Sequence, residues 1–526
     1  MATSTWRRCR GKFAALFSLT TTACFSIGDG VSPPLDSVNY PVGLALSESG
    51  HRLYIANSDF DLRYNGGSVL AVDAVAVRQL LPTACRSESD CGRGETCKGA
   101  SGSLWGVCVD KNDSPCGELG EKPVAERAFT PGRCNPVPLQ GTDLIVAGVK
   151  TAPFSTDIRH VSFEDDDGNR RARLFLPVRG DASLHWMDVE GSKGEFKELD
   201  CGQSRTVDRA TCDERHRIGN EDSEASPGGA KLSPEPASVG ASHDGRTVVV
   251  GHQTWGRLAL FTNRDDGPRL EEIHEGVGFS PMAIAALPPS QDVAPGHRGD
   301  FLVSYLLRQA TEPEPYVELF RAWDGQSNAY LQRGGKAYLQ PSQSGYDSRG
   351  LVVDGTAREA CLAACDCEGE ECAECVQECA KTPLSVYVAS RVPDSLLVGT
   401  MTTKNGSDEE ARLPNFTYTV PLRGGPSRLT AGAIINELGE REQRVFVLSF
   451  DTGTVTVYNP KTSSIEARII AGRGPQSIVV DSKNGLAYVA IFTDSYVSVI
   501  DLDKRHSTFG QVLLNLGTPT PPVSTK

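Results

Sequence analysis

A unit of four short β-branched and aromatic runs recurs along these 526 residues, and it limits the fold more than any other feature. Its plainest copy lies near the C-terminal end. Ser477-Ile-Val-Val-Asp481 leads through the turn Ser482-Lys-Asn-Gly485 into Leu486-Ala-Tyr-Val-Ala-Ile-Phe492, and Tyr496-Val-Ser-Val-Ile-Asp-Leu502 and Gln511-Val-Leu-Leu-Asn-Leu516 complete it. Such runs, separated by Gly, Asn, Asp and Ser, predict a four-stranded antiparallel meander. A second copy contains Pro41-Val-Gly-Leu-Ala-Leu46, Arg52-Leu-Tyr-Ile-Ala-Asn57 and Ser68-Val-Leu-Ala-Val-Asp73. A third contains Pro236-Ala-Ser-Val-Gly-Ala241, Thr247-Val-Val-Val-Gly251 and Arg257-Leu-Ala-Leu-Phe261, and a fourth spans 426–471. One such sheet cannot bury both its faces alone, so successive copies must pack against one another. No helical periodicity separates the runs, which excludes an α/β arrangement.

Pro41-Val-Gly-Leu-Ala45, Tyr54-Ile-Ala-Asn57 and Val497-Ser-Val-Ile-Asp501 together resemble the YVTN-type β-propeller repeat. The resemblance is good at both ends of the chain and degenerate between 141 and 425. It implies an all-β fold with blades packed face to face around an axis, leaving only short edges. Starts near Pro41, Gly141, Pro236, Pro281, Tyr346, Pro426 and Gln476 predict a seven-bladed β-propeller, with a margin of one blade (six to eight), over 37–518.

Fourteen of the 16 cysteines remain once Cys9 and Cys24 are set aside, and they fall into three groups. Cys85, Cys91, Cys97, Cys108, Cys116 and Cys134 occupy an insertion at 84–135 that is poor in apolar residues. Cross-links must supply there what a core cannot, and the paired Cys-x2-Cys steps of a zinc site are absent. The segment resembles small extracellular disulfide knots. Cys201 and Cys212 are expected to staple a loop beside a polar, mobile insertion at 201–235. The third group is Cys361, Cys365, Cys367, Cys372, Cys375 and Cys379, in an insertion at 357–382. Spacing of four places Cys361 with Cys365, and Cys375 with Cys379, on one face of a helix. The segment resembles the twin Cys-x3-Cys helical hairpin, which implies nested pairs 361–379, 365–375 and 367–372. Cys365-x-Cys367 and Cys372-x2-Cys375 also have ligand-like spacing, but cysteine usage of this kind fits an oxidising compartment, so no metal is assigned.

The N-terminus fits that compartment. Arg7, Arg8, Arg10 and Lys12 precede the short apolar run 13–19, too short to span a bilayer, and a small-residue segment follows. This is the pattern of a secretory signal over 1–23. Thr21-Thr-Ala-Cys24 resembles a bacterial lipoprotein box, with Thr21 where Leu is usual. The resemblance implies acylation of Cys24, a tether at 24–36, and an outer-membrane lipoprotein of the bacterial cell envelope held to the membrane only through its lipid. Residues 519–526 are expected to form a short tail.

Charge narrows the function classes. Lys+Arg 53 against Asp+Glu 67 gives −14, and loss of four N-terminal cations makes it −18, which argues against nucleic acid as a partner. Asp165, Asp167 and Asn169 alternate as in a calcium loop, but Arg170 stands where glycine is needed, so a hairpin turn is expected. No serine-hydrolase, zinc-protease or nucleotide-binding motif stands out, and no cofactor is expected. The expectation is a non-enzymatic envelope protein presenting the propeller to a protein or glycan. The alternative is an exported hydrolase, since some YVTN-type propellers resemble lactonases. Repeat alignment puts the loops between second and third strands, and those leading into first strands, on one face. That face should gather Asn57, Asp59, Asp61, His252, Gln253, Trp255, Arg423, Asp451, Arg473 and Asp494 as the candidate binding residues.

Overall fold

The computed structural model describes residues 30–128, 130–191, 196–202, 210–219, 231–288, 294–307, 312, 314–339, 346–365, 370–402 and 413–520. Cys24 with the signal at 1–23, most of the tether, Cys367, and 521–526 of the tail lie outside these residues.

Among the described residues, seven antiparallel sheets of four or more strands follow one another along the chain, each a meander in strand order, and the second carries an additional short strand. Their first strands are Pro41–Leu46, Arg159–Glu164, Pro236–Ala241, Phe279–Ala286, Tyr346–Asp354, Pro426–Ile435 and Pro475–Asp481. These lie side by side in sequence order, and Pro475–Asp481 also packs against Pro41–Leu46. Glycines within these first strands make the approach possible. A Cβ on Gly43 would stand 2.8 Å from Ile158 Cγ2, and one on Gly240 would stand 2.5 Å from Ile284 Cγ2. The serines of these strands serve the same contact, Leu44 N donating to Ser477 Oγ of the last sheet at 3.0 Å.

The core is distributed between sheets rather than gathered at one centre. Leu174, Leu176 and Met187 of the second sheet pack with Tyr54, Ala56 and Val69 of the first. Val447 and Tyr458 of the sixth pack with Tyr387 and Leu396 of the fifth. Leu53, Ile55 and Leu70 of the first meet Tyr488, Val497 and Leu514 of the seventh. Strands such as Leu486–Ile491 are therefore buried on both faces, and each large apolar side chain so buried contributes about 1.5–3 kcal/mol.

The segment after Gly141 departs from expectation. Ile145–Lys150 is the outer strand of the first sheet, pairing with Ser68–Asp73, and the second sheet opens only at Arg159. The cysteine-rich insertion separates the third and fourth strands of one meander, which disguised them as parts of two. That insertion holds its own three-stranded sheet and the bonds Cys85–Cys97, Cys91–Cys108 and Cys116–Cys134. The insertion at 201–235 contains Cys201–Cys212 and a strand, Arg217–Ile218, paired with Leu184 and His185. Ile218 and Leu232 are buried there, an anchoring that polar composition conceals. Helices Thr356–Ala363 and Glu370–Ala380 are joined by Cys361–Cys379 and, from just past the end of the first, by Cys365–Cys375. Among the described residues no helix is long and apolar enough to cross a membrane.

Candidate functional site

A channel-shaped cavity of about 280 Å³ is lined by residues from all seven first strands. Leu44, Val239, Ile284, Leu351, Leu429 and Ile478 make much of its wall, with Asp157, Arg159, His160, Arg349 and Arg428 among them. Arg428 of the sixth sheet reaches to the second, donating to Asp157 Oδ1 and to the Thr156 carbonyl, each at 2.8 Å. Arg349 holds Asp347 in a two-point contact at 2.6 and 3.1 Å. His160 stacks on the Tyr54 ring at 5.9 Å, and burial with Arg159 beside it lowers its pKa to about 4. It is therefore neutral at pH 7. Among the described residues lining the channel, the one acid is engaged by an arginine and the one histidine faces a phenol. Neither is arranged as a general acid–base pair.

One end of each sheet carries the start of the first strand and the loop between the second and third. At that end an aromatic cluster surrounds the region where the first and last sheets meet. Phe60 lies 5.4 Å from Phe492 and 6.3 Å from Phe154, and Tyr40 lies 5.2 Å from Phe492. Phe450 extends the cluster, 6.4 Å from Phe492. Phe60 is 58% exposed and Trp255, in the corresponding loop of the third sheet, 59%. Phe279, Leu307 and Val392 are exposed at the same end of the fourth and fifth sheets.

The residues expected on this face divide by burial. Asn57 is interior, donating to Ser68 Oγ at 2.9 Å and accepting from Asn39 N at 3.0 Å. Asp59 is fully buried; its Oδ1 accepts from Tyr64 N at 3.1 Å, and burial pushes its pKa up to about 7. His252 is buried with Nδ1 at 3.1 Å from the Pro234 carbonyl, and burial lowers its pKa to about 4. Asp494 is buried and takes a two-point contact from Arg473, Nε to Oδ2 being 2.8 Å. Asp451 pairs with Arg391 at 2.5 Å. Gln253 donates its backbone N–H to the Glu235 carbonyl at 3.0 Å. Asp61, Trp255 and Arg423 are exposed, as are Asp451 and Arg473 despite their ion pairs. Asn57, Asp59, His252 and Asp494 thus shape the loops from within, while Phe60, Asp61, Trp255, Arg423, Asp451 and Arg473 meet solvent.

Phe60, Phe492, Phe154, Phe450 and Tyr40 were not among the expected site residues. A signal existed: Phe450 and Phe492 each follow the last residue of a second strand, Ser449 and Ile491. The same position in two copies of a repeat lies at the same end of two neighbouring sheets. Arg428 and Asp157 left no such trace, because they are 271 residues apart and meet only across the channel.

No family model matches the chain, and no curated protein does. Among solved structures, hydrazine synthase of Kuenenia stuttgartiensis matches at 12% identity and a TM-score of 0.45, covering 90% of this chain and 99% of that one. A functionally unknown protein from Desulfotomaculum acetoxidans matches at 11% identity and 0.40, over 72% and 92%. A protein from Lactobacillus plantarum matches at 11% and 0.39, over 75% and 96%. At these TM-scores the likenesses assign neither fold nor function to this chain.

Proposed function

We propose that this chain is an exported, lipid-anchored envelope protein whose seven sheets form a closed β-propeller of the YVTN type, presenting one face to a protein or glycan without converting it. The observation that carries the reading is the exposed aromatic face, with Phe60 and Trp255 standing in solvent beside Asp61 and Arg423. Large aromatic side chains left exposed on rigid loops are the groups that anchor partners, and a soluble protein rarely leaves them so without use. Six disulfides support an oxidising compartment. Acylation of Cys24 would hold the propeller at a membrane through the segment 24–36. The engaged Asp157 and the neutral His160 favour binding over a lactonase-like hydrolysis.

The test combines Trp255→Ala, Phe60→Ala and Arg423→Ala, all exposed, with capture of solubilised envelope proteins and purified envelope glycans. The triple variant should lose capture by at least about tenfold while its melting temperature stays within a few degrees of wild type, as expected of surface changes. Undiminished capture would move the site to the insertions. Turnover of a lactone abolished by Asp157→Asn would replace binding with catalysis.

A further inference from the structure

The first and last sheets exchange no strand, because each takes all four from its own stretch of chain. The polar contacts between them include Tyr40 N to Ser495 Oγ and Leu44 N to Ser477 Oγ, each a single hydrogen bond at 3.0 Å. The last sheet would also present an unpaired outer edge at Val512–Leu516. Edges of that kind are normally covered or shortened.

The stretch 74–144, which holds the cysteine-rich insertion, leaves the first sheet and returns to it, yet it makes much of its contact with the last. At its start, Arg78 of the helix Ala74–Gln79 pairs with Asp481 at 3.2 Å. Trp105 then donates its backbone N–H to the Arg505 carbonyl at 2.6 Å and accepts from Ser507 N at 2.8 Å. Its ring lies under two guanidinium groups, Arg86 from the insertion at 4.3 Å and Arg505 from the last sheet at 4.7 Å. Further on, Val137 N donates to the Asn515 carbonyl and Gly517 N to the Val137 carbonyl, both at 2.8 Å, which covers the outer edge. The buried Asn515 side chain donates to the Pro131 carbonyl at 2.7 Å and accepts from Ser498 Oγ at 3.1 Å. Val137, Leu139 and Leu144 enter the core shared by the two sheets. Three disulfides give this insertion its shape, and Cys116–Cys134 ends three residues before the contacting Val137.

We infer that the insertion is a strap, set by oxidation, that fastens the first sheet to the last. The inference rests on the closed-ring reading above. Each of its bonds forms when a cysteine thiolate attacks the disulfide of an oxidised dithiol donor, and the partner thiolate then attacks the mixed disulfide. Two thiols lose their protons, one S–S bond forms in the strap, and the donor takes up two electrons and leaves as a dithiol. In the reducing cytosol the strap is unformed and the seam open; in the oxidising compartment the ring is fastened.

Hydrogen exchange on the full mature chain tests this. The variants are Cys116→Ser with Cys134→Ser and, with all disulfides kept, Trp105→Ala. Exchange should quicken by at least about tenfold in 41–46 and 512–517 of both variants, while 247–252 and 316–323 in the distant sheets stay as protected as in wild type. Unchanged exchange at the seam, or an equal rise in all sheets, would overturn the strap. Spin labels at the exposed positions Ser49 and Lys483 of the oxidised wild type separate the two claims. One short distance keeps the ring whatever the strap variants do, and a long, broad distribution removes the ring itself.

Discussion

Asp59 is a carboxyl folded beneath its own loop. Its backbone carbonyl accepts from Leu62 N at 3.0 Å, and the turn lifts Phe60 into solvent. Burial raises its pKa to about 7, against the usual carboxylate near 4 in the unfolded chain. Between those values the folded state holds a proton that the unfolded state has lost, so Asp59 makes stability fall as pH rises from about 4 to about 7. Asp59→Asn keeps the shape and cannot ionise. Urea titrations should therefore show the variant gaining on wild type across that window and the difference levelling above pH 7; a constant difference would contradict the assignment. His252 acts with the opposite sign. Its folded pKa of about 4 lies below the ordinary 6.5, so the stability it contributes is lost as pH falls through that interval. His252→Gln should flatten the acid limb of the same titration, and an unchanged limb would count against a buried neutral ring. Neither residue could be read as interior from spacing alone. Asn, Asp and His at strand ends look alike in a sequence whether they face solvent or close a loop, and here burial separates Asp59 from Asp61 two positions on.

At the scale of elements, legibility followed the continuity of the repeat. The sheet at 475–516 is unbroken and shows its alternation and turns directly, as does Pro236–Phe261 within the third sheet. Ile145–Lys150 was assigned to the wrong sheet because about 70 residues part it from its neighbour Ser68–Asp73, and no local pattern spans that gap. The helical hairpin was readable from four-residue cysteine spacing repeated on either side of a short break, which puts each pair on one helical face. Its two described bonds lie close together, Cys365 Sγ standing 3.6 Å from Cys379 Sγ. Removing Cys361–Cys379 opens a loop worth about 3 kcal/mol in chain entropy. Because the hairpin is an insertion between two strands of the fifth sheet, this loss should be local. Cys361→Ser with Cys379→Ser should speed amide exchange in Thr356–Ala363 and leave Leu384–Val392 protected. Loss of protection in that strand as well would mean that the hairpin supports the sheet.

Across the whole molecule, insertions and exposed apolar side chains sit at opposite ends of the sheets. The cysteine-rich knot and the helical hairpin both leave from the end where first strands finish and third strands finish. The opposite end holds Phe60, Trp255, Phe279, Leu307 and Val392 in solvent. A repeat reveals which end a loop belongs to, and so the candidate face was legible as a place. Its chemistry was not, because which side chain is spent inside and which is offered outward depends on neighbouring sheets far away in sequence. The direct measurement is a hydrogen-exchange footprint of the mature protein, alone and saturated with the envelope fraction that it captures. The account predicts slowed exchange confined to 58–64, 253–256, 423–425 and 472–474, the loops that carry Phe60, Trp255, Arg423 and Arg473. Slowing confined to 84–135 or 357–382, with those loops unchanged, would contradict it.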